Sequence, residues 1–85
     1  MISRKYEGNS NVTGKQIEKL RKQKNLSRAC LSDKLMILGI DINYDGIYKI
    51  EKGRRIVKDF ELAAIAKVLG TSETALLEKF NENLN

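Results

Sequence analysis

Residues 42–55 read INYDGIYKIEKGRR, and the assignment of this stretch decides the fold. At helical spacing Ile47 and Ile50 fall on one side, Asp45, Lys49 and Lys52 fall roughly opposite, and Tyr44 and Tyr48 lie between. The spacing predicts a helix over residues 44–52, capped by Asn43 and stopped at Gly53. Ile42 before the cap and Ile47 after it form a hydrophobic staple that fixes the register. One face of this helix therefore belongs to a core. The other displays lysines, tyrosines and an aspartate, with Arg54 and Arg55 just beyond the stop. Such a face suits the groove of a nucleic acid, and it equally suits a solvated helix that only closes a core. Gly46 costs up to about 1 kcal/mol inside a helix, which implies close backbone approach, either to DNA or to the preceding helix.

The rest of the chain narrows that choice. A chain of 85 residues makes one small domain, and its 41% hydrophobic content with no proline points to an all-α fold with uninterrupted helices. Cys30 is the single cysteine and there is no histidine, so no internal disulfide, zinc site or nucleophile-and-base pair is expected. Cys30 is read as a small packed side chain. We expect no metal, no cofactor and no enzymatic activity. No apolar run is long enough to span a bilayer, and the amino terminus lacks a signal-peptide core, so a cytoplasmic protein without ligand or cleavage domain is expected.

Charge is unevenly distributed. Residues 1–58 hold 14 of the 16 Lys and Arg against six acids, a balance of +8, while residues 59–85 hold two bases against five acids, a balance of −3. A positive field confined to the first two thirds fits a polyanionic partner.

Taken in order, residues 1–11 are polar and aperiodic and read as a flexible arm, whose Arg4 and Lys5 could reach phosphates. The domain proper is placed at 12–80, with 81–85 as a frayed tail. Its first helix spans about 14–24, capped by Thr13 with Gln16 completing a capping box, and Val12 and Ile17 forming a staple. Ser27 caps a second helix, with Leu26 and Leu31 as its staple, Leu31 and Leu35 in the core and Gly39 as its stop. Ile40, Asp41 and Ile42 link it to the opening stretch. A fourth helix runs from about Asp59 to Leu69, where alanines permit close packing and Gly70 ends it. Ser72 then caps a fifth helix with Leu76, Leu77 and Phe80 on its apolar face.

Two consecutive short helices, the second with a basic face, meet the requirement of a helix-turn-helix, whose second helix enters the major groove. The blocks QIEKLRKQKNLS, LSDKL, IYKIEKG and ELAAIAKVLGTS, covering roughly residues 14–77, resemble the phage Cro/repressor or Xre-like helix-turn-helix regulators. LGIDI resembles the turn of a subgroup of bacterial regulators. The resemblance implies a five-helix lambda-repressor-like domain with the helix-turn-helix formed by the second and third helices. It implies an ion pair between Arg21 and Glu51, whose positions at the margins of their apolar stripes agree with it. It places Tyr44, Asp45, Tyr48 and Lys49 at base-reading positions. Lys49 would donate to guanine, and the tyrosines would meet a thymine methyl or a phosphate. Asp45 would accept from a cytosine amine or stabilise the helix's first turn through its dipole. Arg28, Asn43, Lys52, Arg54 and Arg55 would sit at phosphates.

The implied function is sequence-specific binding of double-stranded DNA by a transcriptional regulator of the repressor type. It would act as a homodimer on an inverted-repeat operator, with Leu77 or Phe80 at the dimer contact. The alternative is an antitoxin-like or adaptor module that uses the same fold to hold a partner protein. Three departures from the family pattern stand out: MILGID lengthens the turn before the third helix, Ser32 replaces an alanine between the two helices, and Lys58 replaces a capping Thr or Ser. The last leaves Asp59 or Glu61 to satisfy the fourth helix's amides.

Overall fold

The computed structural model describes residues 7–84. Five helices follow in order, α1 (Gly14–Gln23), α2 (Arg28–Ile37), α3 (Tyr44–Glu51), α4 (Asp59–Val68) and α5 (Glu73–Asn83), so the all-α, five-helix expectation holds. α5 continues to Asn83, into the stretch read as a frayed tail.

Most helix boundaries follow from local chemistry. Ser27, Asn43 and Ser72 accept hydrogen bonds from the backbone N–H groups of Cys30, Gly46 and Ala75 at 3.0, 2.8 and 3.1 Å, satisfying amides that a helix start leaves open. α2 ends with the Ile40 N–H donating to the Leu35 carbonyl at 3.0 Å and the Gly39 N–H to that of Met36 at 2.9 Å. This paired closure needs a left-handed residue, and Gly39 supplies it at φ +82°. At the end of α1 the same position falls to Asn25 at φ 58°, a residue that tolerates this region better than most.

The start of α1 departs from expectation. Thr13 does not cap it, and the buried Thr13 hydroxyl has no hydrogen-bond partner among the described residues. Asn11 takes over from two residues upstream. Its Oδ1 accepts from the N–H groups of Thr13 at 3.1 Å and Gly14 at 2.7 Å, while its Nδ2 donates to the carbonyls of Ile50 at 3.0 Å and Arg55 at 2.8 Å. Ser10 N–H also donates to the Gly53 carbonyl at 2.7 Å. Residues 10 and 11 are thus stitched to the end of α3 and the loop after it, so the flexible arm expected over 1–11 does not extend through them. Arg4 and Lys5 lie outside the described residues. Val12 does not join the core cluster, so the first staple is absent. Gly14 has no room for a side chain, because a Cβ there would fall onto the Ile50 carbonyl oxygen. The close approach sets the start of α1 directly against the last turn of α3.

The core gathers Ile17, Leu31, Leu35, Ile42, Ile47, Ile50, Ile65, Ala66, Leu69 and Leu76, all buried. α3 packs against both α1 and α2, α4 packs on α2, and α5 on α4. Each fully buried Leu or Ile contributes on the order of 1.5–3 kcal/mol relative to exposure, and α3 alone brings two to the centre of this arrangement. The lengthened turn is absorbed without loosening α3. Leu38, Gly39 and Asp41 are left in solvent, and Ile42 re-enters the core at 2% exposure. Ser32 then fastens it, its hydroxyl donating to the Ile42 carbonyl at 2.6 Å. The serine that replaces the usual alanine is the residue that ties down the longer turn.

α4 starts at Lys58, which offers no side-chain cap. Glu61 accepts from the Lys58 N–H at 3.0 Å and Asp59 from the Phe60 N–H at 2.7 Å, so both acids serve. Burial pushes the Glu61 carboxyl up, but hydrogen bonds from Arg55 and the Lys58 amide, with the charges of both residues, outweigh it and hold the pKa below the ordinary value of 4.5. A depressed pKa contributes stability that is present above pH 4.5 and is lost as pH falls through the folded value. Thermal melts should therefore show Tm declining below about pH 4.5, and Glu61→Gln should flatten part of that decline. An unchanged pH profile would place the acid sensitivity elsewhere.

Candidate nucleic-acid interface

α3 is held by its inner side. Arg21 Nε stands 2.6 Å from Glu51 Oε2 and Arg21 Nη2 stands 3.2 Å from Oε1, a two-point contact with both residues nearly excluded from water, at 7% and 2% exposure. The remaining donor of Arg21, Nη1, reaches the Leu26 carbonyl at 2.7 Å. A charge buried this deeply requires such satisfaction of its donors. The pair ties the end of α1 and the turn after it to the last turn of α3.

Arg28 was expected at a phosphate, and the structure gives it an earlier task. Its Nε donates to Glu51 Oε1 at 2.8 Å and its Nη2 to Glu18 Oε2 at 3.2 Å, so it is the second arginine on Glu51. The Glu51 hydrogen bond, and after it one to Tyr44, raise the Arg28 pKa. Its guanidinium carbon also lies 5.1 Å from the centroid of the Tyr48 ring, with Lys52 Nζ at 5.8 Å. Both are within cation–π range. Tyr48 is half-buried between them, so its ring is positioned by the protein.

Arg55, the other guanidinium expected at a phosphate, is likewise engaged. It makes two contacts with Glu61, at 3.0 and 3.1 Å, and these bind the loop after α3 to the first turn of α4. Arg54 is exposed and, among the described residues, makes no ion pair. Lys52 is exposed beside Tyr48. Asn43 spends its side-chain oxygen on the Gly46 amide. The close approach at Gly46 is to Ile42 rather than to α2, for a Cβ there would meet the Ile42 side-chain methyl at 2.9 Å, with Arg55 Nε farther off at 3.9 Å. The glycine makes room for the residue that anchors the turn.

On the outward side Tyr44, Asp45 and Lys49 are all exposed. Lys49 Nζ lies 2.9 Å from Asp45 Oδ2 one turn earlier. An exposed pair at this spacing is worth only about 0.3–0.5 kcal/mol, so either partner can leave it for another donor or acceptor at little cost. Tyr44, Asp45, Lys49 and Arg54 therefore form a solvent-facing polar strip on the end and outer side of α3. Glu18, Lys22 and Asn11 were missed by the sequence reading, and Glu61 was read only as a cap of α4, not as the partner of Arg55. Asn11 carried a local signal as a capping residue, whereas Glu18 and Lys22 gave none.

The family model for the helix-turn-helix matches residues 17–76, more than two thirds of the chain. The chain belongs to the Cro/C1-type helix-turn-helix family. The match identifies a helix-turn-helix domain of the DNA-binding type, and its α2 and α3 are the pair named by that motif. Among solved structures it is similar to hydroxypropylphosphonic acid epoxidase from S. wedmorenis, at 28% sequence identity and a TM-score of 0.66, over 80% of this chain and 34% of that one. The chain thus spans about a third of the epoxidase's length. No curated protein matches it significantly. Among the described residues no group of His, Cys, Asp or Glu is placed to hold a metal, and no helix is long and apolar enough to cross a membrane.

Proposed function

We propose that the protein is a cytoplasmic repressor without catalytic activity that reads double-stranded DNA by laying α3 in the major groove. The observation that carries this reading is the exposed strip of Tyr44, Asp45 and Lys49, mounted on a helix fixed from behind by Glu51. A reader must be rigid in backbone and released easily at its tips, and α3 is backed by Glu51 while its exposed Asp45–Lys49 pair is worth little. Lys49 donates to guanine N7 or O6 after releasing Asp45, and Asp45 then accepts from a cytosine amine or remains a first-turn helix stabiliser. Tyr44 and Tyr48 supply contacts to a thymine methyl or phosphate. Arg54, Lys52 and the helix start at Asn43 set the register on the backbone. Two copies joined through α5, where Leu77 and Phe80 are half-buried, bind an inverted repeat with half-sites about 10 base pairs apart.

Fluorescence anisotropy on a selected operator tests these assignments. Lys49→Ala should relax base preference at one position by about 1–3 kcal/mol. Arg54→Ala should weaken all sequences alike and reduce the salt slope by about one unit. Arg55→Ala should act chiefly through stability, since its guanidinium is held by Glu61. If both Lys49→Ala and Arg54→Ala bind like the parent, the strip is not the reading face.

One observation favours a second reading as an adaptor or antitoxin-like module. Met36, Ile37 and Leu38 expose 52%, 84% and 41% of their surface at the end of α2, and exposed apolar clusters often mark protein contacts. Under that reading Ile37→Asp abolishes capture of a partner protein and leaves DNA binding intact.

A further inference from the structure

One carboxylate oxygen in this protein is held by three cations from three separate elements. Glu18 Oε2 lies 3.2 Å from Arg28 Nη2 at the start of α2, 3.5 Å from Lys22 Nζ on α1 and 3.7 Å from Lys52 Nζ at the end of α3. We propose that Lys22, Arg28 and Lys52 form a seat for a DNA backbone phosphate, and that Glu18 occupies this seat as a built-in competitor which holds down affinity for DNA of any sequence. The inference rests on the DNA-binding reading above and adds to it a residue that opposes binding.

A phosphate oxygen and a carboxylate oxygen ask for the same thing, several charged N–H donors converging on one point. The seat has that geometry already. Lys22 and Lys52 are well exposed, and the Glu18 side chain retains a fifth of its surface, so a phosphate can reach the site and the carboxylate can turn away. Arg28 can serve without disturbing the fold, because its Nε stays on Glu51 Oε1 while only Nη2 changes partner. Its place as the first residue of α2 adds the positive end of the helix dipole. Burial pushes the Glu18 carboxyl up, and Lys22, Lys52 and Arg28 together bring it below its ordinary value, so the competitor is charged at neutral pH. Glu51 cannot play this part, being buried and already shared by two arginines. A uniform handicap on phosphate binding leaves the specificity ratio unchanged but lowers occupancy of the large excess of non-specific sites at a given protein concentration.

The test measures binding of a labelled duplex of arbitrary sequence at fixed salt by the parent chain, Glu18→Gln, Glu78→Gln, Lys22→Ala and the Glu18→Gln/Lys22→Ala double variant. Glu18→Gln keeps the size of the side chain and an acceptor for Arg28 Nη2, and Glu18→Ser gives a second removal of the charge. Glu78→Gln makes the same change in net charge on α5. Glu18→Gln should bind about tenfold tighter, the scale of three partly exposed ion pairs that no longer compete. Its salt slope should steepen by about 0.9 for the added phosphate. Glu78→Gln should change affinity less than about twofold, the weak effect of a screened remote charge. Lys22→Ala should matter little in the parent and remove much of the gain in the Glu18→Gln background. Equal gains from Glu18→Gln and Glu78→Gln, or unchanged affinity in both Glu18 variants, would overturn the competitor and leave DNA binding standing. Absence of duplex binding by the parent and every variant would overturn both.

Discussion

Glu51→Ala should cost about 3–5 kcal/mol of stability, the range for removing one member of a buried ion pair. A domain of this length is stable by only about 4–13 kcal/mol, so the variant should be partly or wholly unfolded at ordinary temperature. The loss is large because Glu51 is shared: Arg21 and Arg28 both donate to it, at 2.6 and 2.8 Å. Removing the carboxylate leaves Arg21 at 7% exposure with only the Leu26 carbonyl as partner. Arg21→Ala should fall in the same range, since it strands the carboxylate and drops the bond to Leu26. Arg28→Ala should cost less, because its guanidinium is already partly in water. Chemical denaturation resolves the order, and a Glu51→Ala variant as stable as the parent would show that the cluster does not hold α3. Because Glu51 sits behind the proposed reading face, loss of DNA binding by Arg21→Ala should follow unfolding and leave the base preference of the folded fraction unchanged.

The second large effect lies where sequence patterning pointed to the wrong residue. Asn11→Ala should destabilise the domain by about 2–4 kcal/mol, because four hydrogen bonds of roughly 0.5–1.5 kcal/mol each are lost and their backbone partners are part-buried. That corresponds to a fall in Tm on the order of 10–20 °C for a domain of this size. Thr13→Ala should be nearly silent, for its hydroxyl has no partner among the described residues. A local capping box predicts the reverse order, with Thr13→Ala costing about 1 kcal/mol. Paired melts of the two variants decide between them. Asn11→Asp keeps the acceptor for the α1 amides but turns a negative oxygen toward the carbonyls of Ile50 and Arg55, so it should resemble Asn11→Ala.

The contrast at Asn11 illustrates what could be read directly and what could not. Helix number, helix stops and most of the core follow from short-range rules: apolar spacing, a left-handed glycine and a capping serine or asparagine act within one or two turns. Ser27, Asn43, Ser72, Gly39 and Gly53 were legible for that reason. Asn11 contacts Ile50 and Arg55, about forty positions away in sequence, and no periodicity encodes such a partner. The same limit applies to Gly14 beneath the Ile50 carbonyl, to Ser32 beneath Ile42 and to Arg28 on Glu51. The Arg21–Glu51 contact was anticipated only because the family resemblance supplied it. Sequence identified the basic residues near α3 without showing which were already spent. Arg55 is held through both Nη atoms by Glu61 and Arg28 keeps its Nε on Glu51, whereas Arg54 and the loosely paired Lys49 remain available.

Under the proposed function, that division of labour gives α3 a buried clamp behind it and the exposed Tyr44, Asp45 and Lys49 in front. Selection of bound sites from a pool of random duplexes tests this most directly, carried out in parallel with the parent and with Lys49→Ala. The account predicts an enriched inverted repeat for the parent, with half-sites about one helical turn apart, and a motif from Lys49→Ala that loses base preference at the same position in each half-site. Recovery of no motif above the starting pool, or of the same motif from both proteins, would contradict it.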